Sequence, residues 1–208
     1  GLMVARGDLG VEIPIERVPL VQKEIIKKCN HAGKPVITAT QMLQSMINSP
    51  QPTRAEVTDI ANSIFDGTDA IMLSGETAVG RYPVEAVKVM MKIALNTEAT
   101  LPYSKMLLEK GADLEPQTDD AIAYDACHTA HQLGAAAIVA FTSSGSTARR
   151  VSKYRPGIPI LAATPTPKQK RRLLLSWGVY PYEVLDPPSV LDLFAQGVRV
   201  CKESGVAK

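Results

Sequence analysis

The chain has 208 residues, room for one large domain or two small ones. Hydrophobic residues make up 45% and charged residues 21%, which sustains a buried core and excludes a disordered chain. Lys+Arg 23 against Asp+Glu 21 leaves a net charge of +2, too small a surplus to predict attraction to nucleic acid or a membrane surface.

Leu2 to Ala5 is a short apolar run ending in Arg6-Gly7-Asp8, and reads as a strand running into a loop. Val18, Val21, Ile25, Ile26 and Cys29 recur at three- and four-residue spacing, with Gly33 as a stop, and predict a helix. Pro35 to Ala39 predicts a second strand. A further helix is expected from Thr53, where Glu56 completes a capping box, to Gly67. Ala70 to Leu73 predicts a third strand, leading through SGETAVG to a helix with Pro83 in its first turn. These apolar runs are continuous rather than alternating, as parallel strands covered on both faces require.

The polar, turn-rich stretch at residues 101–118 reads as a linker between an α/β unit at 1–100 and another at 119–208. In the second unit a helix is expected from Asp119 to Leu133 with Gly134 as its stop. Strands follow at Ala136–Phe141, Ile158–Ala162 and Val179–Val184, with helices after Ser146, after Pro167 and over Ser189–Glu203. The longest apolar stretch, Ala135–Phe141, is far short of the roughly 18 residues of a membrane span, and the first residues lack the basic-then-apolar pattern by which a signal sequence would be expected. Cys29, Cys127 and Cys201 form no CxxC pair, so a reduced, cytoplasmic chain is expected.

Each of the first three strands ends in polar residues: Arg6-Gly7-Asp8, Thr38-Ala39-Thr40-Gln41, and Ser74-Gly75-Glu76-Thr77. In parallel α/β folds these ends carry the site. Asp8 offers a carboxylate to a hard cation and Thr40 a hydroxyl that donates or accepts. The competing reading makes Asp8 and Ser74 helix caps. In the second unit, Thr142-Ser143-Ser144-Gly145-Ser146-Thr147 follows a strand and opens a helix. It presents free N–H groups to an anion, unless it is a plain Ser N-cap. Lys168, Lys170, Arg171 and Arg172 read as a solvated helix face. His128 and His131 lack the partners of a zinc set, and Cys127 and Cys201 read as core thiols.

The segments VARGDLGVEIP, GKPVITATQML, PTRAEVTDIAN and IMLSGETAVGRYPVEAV resemble the pyruvate kinase family, in that order and spacing. The resemblance implies an α/β chain: the last three βα units of a (β/α)8 TIM barrel, followed by a small, doubly wound C-terminal effector and oligomerisation domain. It implies phosphoryl transfer between phosphoenolpyruvate and ADP, giving pyruvate and ATP, with Mg2+ (or Mn2+) and K+. Asp8 then becomes a metal ligand, and Gly7 and Asp8 offer backbone N–H groups to the substrate carboxylate. Thr40 contacts substrate and helps protonate the enolate, while Ser74 and Glu76 support it. Arg6 sits in a structural ion pair at a subunit contact. Thr142 to Thr147 would hold the phosphate of a sugar-phosphate or nucleotide effector, and a homotetramer is implied for the full-length protein. The strand carrying the phosphoryl-transfer Lys and the second metal carboxylate has no counterpart, and Lys23, Lys27 and Lys28 lie on a helix instead. A truncated chain, inactive by itself, is therefore expected. Two other readings fit the same residues: a non-catalytic phosphate-binding or regulatory α/β module, and a barrel aldolase or lyase, which the appended second domain weakens.

Overall fold

The computed structural model describes residues 1–112, 116–186 and 189–206. The chain divides into two units, Gly1–Leu101 and Pro102–Lys208.

In the first unit, β1 (Leu2–Ala5), β2 (Val36–Ala39) and β3 (Ala70–Met72) form a parallel sheet in that order. The register pairs Val4 with Thr38, Ala5 with Ala39, and Ala39 with Met72, so the three C-terminal ends lie level. The sheet's neighbours in sequence are α1 (Arg6–Glu12), α2 (Val18–His31), α3 (Arg54–Phe65), α4 (Gly75–Ala78) and α5 (Pro83–Glu98). One sheet face packs Val4 and Val36 on Ile26 of α2, with Leu9, Ile25 and Cys29 around them. Burial of such side chains stabilises by about 1.5–3 kcal/mol each. Strand alternation sends Met3, Ile37, Ala70 and Met72 to the opposite face, where Met3 stays 48% exposed. That face is only partly covered, with Ala39 buried and Ile37, Ala70 and Met72 half-buried, where the continuous apolar runs predict full cover. The capping box at the start of α3 forms as expected: Thr53 Oγ1 accepts from the Glu56 N–H, and the Glu56 carboxylate from the Thr53 N–H. Gly67 ends that helix region with φ +94.

The short α4 stands where SGETAVG reads as a connection, and two further segments differ from the reading of the sequence. Residues 6–12 form a helix directly at the end of β1 rather than a loop. Gly7 and Gly10 weaken helix propensity there, but a tertiary bond from Gly7 N–H to Thr40 Oγ1 holds its start, and the local bond from Ile13 N–H to Leu9 O closes its end. Within the expected linker, α6 (Tyr103–Ala112) forms and packs on α7 (Thr118–Leu133), because Leu107 buries in the core of the second unit. Residues 113–115 of that linker lie outside the described residues.

In the second unit, β4 (Ile138–Phe141), β5 (Ile160–Thr164) and β6 (Val179–Glu183) form a parallel sheet in that order. Ile160 and Ala162 of β5 join a core with Cys127, Ala148 and Leu173, reaching α7, α8 (Ser146–Lys153) and α9 (Pro167–Leu173). Leu161 and Ala163 point the other way, onto Val184 and Val200 of α10 (Val190–Glu203). The central strand is thus covered on both faces, as a doubly wound sheet requires. Gly134 closes α7 at φ +60, a left-handed cap that glycine adopts without a Cβ clash.

Candidate functional site

The three polar strand ends of the first unit are tied together by side chains. The Arg6 guanidinium leaves the end of β1 and donates to the backbone at the end of β2: Nε to Ala39 O at 3.3 Å and to Thr40 O at 3.2 Å, and Nη2 to Thr40 O at 2.7 Å. Its Nη1 pairs with Asp59 Oδ2 of α3 at 2.5 Å, and Nη2 also meets Met42 Sδ at 2.8 Å. From the other neighbour, the fully buried Glu76 accepts from Leu43 N–H through Oε1 and from Ser74 N–H through Oε2, each at 2.9 Å. The turn between these two anchors holds Thr40 at φ +68 and Gln41 at φ +54. Two consecutive left-handed residues, one of them β-branched, are a genuine backbone outlier.

Thr40 Oγ1 accepts from Gly7 N–H at 2.9 Å. Its oxygen is thus engaged from behind, which leaves the hydroxyl proton for another acceptor. The Gly7 amide, expected to receive a substrate carboxylate, is already donating to Thr40. Asp8 is exposed in the first turn of α1. The N-cap of α1 is Ala5, so Asp8 is not its cap; Ser74 does occupy the N-cap position of α4, but its side chain makes no cap bond. Capping therefore does not account for Asp8 or for the Ser74 hydroxyl.

The turn continues through Gln44–Ile47 and is fastened to α3 by Glu56. That carboxylate accepts from Ser45 N–H at 2.7 Å, Ser45 Oγ at 2.5 Å, Thr53 N–H at 2.8 Å and Thr53 Oγ1 at 2.9 Å. Partial burial pushes the Glu56 carboxyl up, but the bonds from Ser45 and then Thr53 outweigh it and hold the group below its ordinary value. Asp59, 53 positions from Arg6, is not legible in the sequence as its partner, since the nearer anion there is Asp8.

A divalent cation needs several hard oxygen ligands, and among the described residues no group of three His, Cys, Asp or Glu could hold one. Asp8 supplies one carboxylate of the right chemistry and nothing here completes the set. These residues by themselves do not fit a metal centre.

In the second unit, the loop after β4 presents Ser143, Ser144 and Thr147 to solvent while Thr142 is buried. Gly145, at φ +81, is the N-cap of α8 and makes no side-chain cap bond. Ser144 and Ser146 share a hydroxyl hydrogen bond at 2.9 Å, and Arg149 Nη1 donates to Ser144 O at 3.4 Å. The buried Thr164 Oγ1, at the end of the adjacent β5, has no hydrogen-bond partner among the described residues. His128 stacks on Tyr124, and His131 bonds to Ser104, so the two histidines serve separate contacts.

The family described as pyruvate kinase, barrel domain, matches residues 1–87, and the family described as pyruvate kinase, alpha/beta domain, matches residues 120–208. A pyruvate kinase of Clostridium acetobutylicum is 61% identical over 181 residues, 87% of this chain and 38% of the relative. A pyruvate kinase of Geobacillus stearothermophilus is 55% identical over 208 residues, 100% of this chain and 35% of the relative. A crystal structure of a pyruvate kinase from Cryptosporidium parvum superposes with a TM-score of 0.95 at 43% identity, covering 100% of this chain and 42% of that one. The chain therefore spans between a third and a half of the length of these relatives.

Proposed function

The chain belongs to the pyruvate kinase family, and on that premise we propose that it carries the phosphoenolpyruvate side of a pyruvate kinase catalytic centre, whose remaining residues lie outside these 208. The observation that carries this reading is the joining of three strand ends around Thr40, with the hydroxyl seated on the Gly7 amide. The first unit is the last three βα units of a TIM barrel; the partly exposed sheet face bearing Met3 supports this, since in a closed barrel it would face the interior. Residues 119–208 form the effector and oligomerisation domain of a cytoplasmic homotetramer.

The reaction is phosphoryl transfer from phosphoenolpyruvate to ADP, the last step of glycolysis, supported by Mg2+ or Mn2+ and by K+. Such transfer is mainly positioning and neutralisation of charge on oxygens. Asp8 supplies one carboxylate of a metal site that other parts of the full protein complete. The substrate carboxylate takes the first-turn amides of α1, at Gly7 and Asp8, displacing Thr40 Oγ1 from Gly7 N–H. The freed Thr40 hydroxyl then lies beside the enolate and assists its protonation. Ser74 and Glu76 support this arrangement from the end of β3. Thr142 to Thr147 bind the phosphate of a sugar-phosphate or nucleotide effector; the exposed hydroxyls of Ser143, Ser144 and Thr147 around the start of α8 support an anion site.

The test is a lactate-dehydrogenase-coupled assay of a full-length protein that carries this chain. Asp8→Asn and Thr40→Val are each expected to lower kcat at least 100-fold, and unchanged turnover in both would overturn the assignment. The 208 residues alone are expected to give no turnover; activity from them would overturn the claim that the centre is incomplete.

A further inference from the structure

We infer that Arg6 and Glu76 are positioning residues for Thr40, acting as two anchors that hold the 40–43 turn in its left-handed conformation. This rests on the phosphoryl-transfer reading above for its consequence, and on geometry alone for its existence.

Thr and Gln do not adopt positive φ without enforcement, and such strain persists only where the surroundings over-determine it. Here the enforcement comes from both sides. Arg6 places two donors on the Thr40 carbonyl, at 3.2 and 2.7 Å, which fixes the orientation of the peptide following Thr40. Its other branch is braced by Asp59 of α3, so the guanidinium plane cannot swing away from the turn. Beyond Gln41, Met42 and Leu43 are fully buried, and the Leu43 amide is held by Glu76. The second Glu76 oxygen takes the Ser74 amide, so the carboxylate is spent on two backbone donors and fastens the turn to the end of β3. Between the anchors the chain has one way to run, and it delivers Thr40 Oγ1 to 2.9 Å from Gly7 N. A glycine or asparagine would adopt these angles more readily, but neither carries a hydroxyl at this point. The two charged anchors let a threonine sit there.

Lys at position 6 keeps the charge but lacks the fork that reaches Asp59 and Thr40 together. Gln at position 76 keeps the size, yet its amide nitrogen faces a backbone N–H that it cannot accept. Amide hydrogen exchange of the 208-residue chain reads the clamp directly. Gly7 is expected to exchange at least ten-fold faster in Arg6→Lys, and one of Leu43 and Ser74 at least ten-fold faster in Glu76→Gln, with Thr38 in β2 unchanged in both. Unchanged exchange at Gly7 in the first variant, or at both Leu43 and Ser74 in the second, overturns the inference. Should Glu76→Gln fail to fold, Asp59→Asn, which loosens only the brace on Arg6, is expected to speed Gly7 exchange at least three-fold. In a full-length protein carrying the chain, Arg6→Lys is expected to lower kcat about ten-fold or more per folded molecule while KM for phosphoenolpyruvate moves less than three-fold. A purely structural role would lower the folded yield and leave kcat alone, and that result also overturns the inference. If the unsubstituted protein shows no phosphoryl transfer, the functional reading fails while the exchange data still decide the clamp.

Discussion

Glu56→Gln removes the charge that fastens the turn after β2 to the start of α3. Two backbone amides and two hydroxyls converge on this one carboxylate, at distances between 2.5 and 2.9 Å. The hydroxyls of Ser45 and Thr53 can rotate to water. The amides of Ser45 and Thr53 cannot, and glutamine has a single oxygen for the pair. One N–H therefore faces an NH2 group and loses its acceptor, a penalty of about 1–3 kcal/mol when fully buried, while the Thr53 hydroxyl still accepts from the residue 56 N–H. Partial solvent access leaves an expected loss of about 1 kcal/mol at pH 7. The pH dependence gives an internal control. The Glu56 carboxyl is held below its ordinary value of 4.5, so its contribution is fully present above that value and is lost as pH falls through the lower, folded-state one. Protonated Glu56 resembles glutamine, and the two proteins should converge in acid. Urea unfolding followed by far-UV circular dichroism at pH 7, 5 and 3 measures this. A difference below about 0.5 kcal/mol at pH 7, or one that stays constant down to pH 3, refutes the reasoning.

Gly67→Ala should cost about 2 kcal/mol in the same unfolding experiment: the new Cβ sits at φ +94 and 2.6 Å from Asn30 Nδ2, the group that donates to Gly67 O. Lys153→Met should cost about 3 kcal/mol, because it withdraws bonds at 2.9 and 3.1 Å from the Asp120 carboxylate, which is almost wholly out of water. Calorimetry of the variant against the parent decides this one, and an unchanged Tm removes it. Burial pushes the Cys127 thiol up to about 12. Alkylation at pH 8 read by mass spectrometry should therefore leave Cys127 unmodified in the folded chain and label it after denaturation; labelling at the unfolded rate would contradict the burial.

What the sequence revealed and what it withheld divide by distance along the chain. The capping box of Thr53 and Glu56 is legible because both partners lie within one helical turn, and the three strands because apolar runs between turn residues leave little choice. The polar strand ends were visible as a set of residues, but not as a joined site. Arg6 and Asp59 are 53 positions apart, and Leu43 and Glu76 are 33 apart. Nothing local distinguishes such an aspartate from any exposed one on α3. The left-handed turn at Thr40 and Gln41 was hidden for a related reason, since neither residue type signals positive φ. Helices α1 and α6 were missed where glycine and polar content outweighed, on paper, contacts made only after folding.

The stitching of neighbouring βα units has a bearing on how such chains recombine. Arg6 comes from the end of the first strand, Asp59 from the helix after the second, and Glu76 from beyond the third. Arg6 and Glu76 act on the same short turn, Asp59 on it through Arg6. A crossover between two homologous genes anywhere from position 7 to position 58 separates Arg6 from its brace, and one from 44 to 75 separates Leu43 from its acceptor. Chimeras joined there survive when both parents carry the same residues at 6, 59 and 76. Exchange of single βα modules is therefore constrained by three positions far apart in the gene, and these should be inherited as a block.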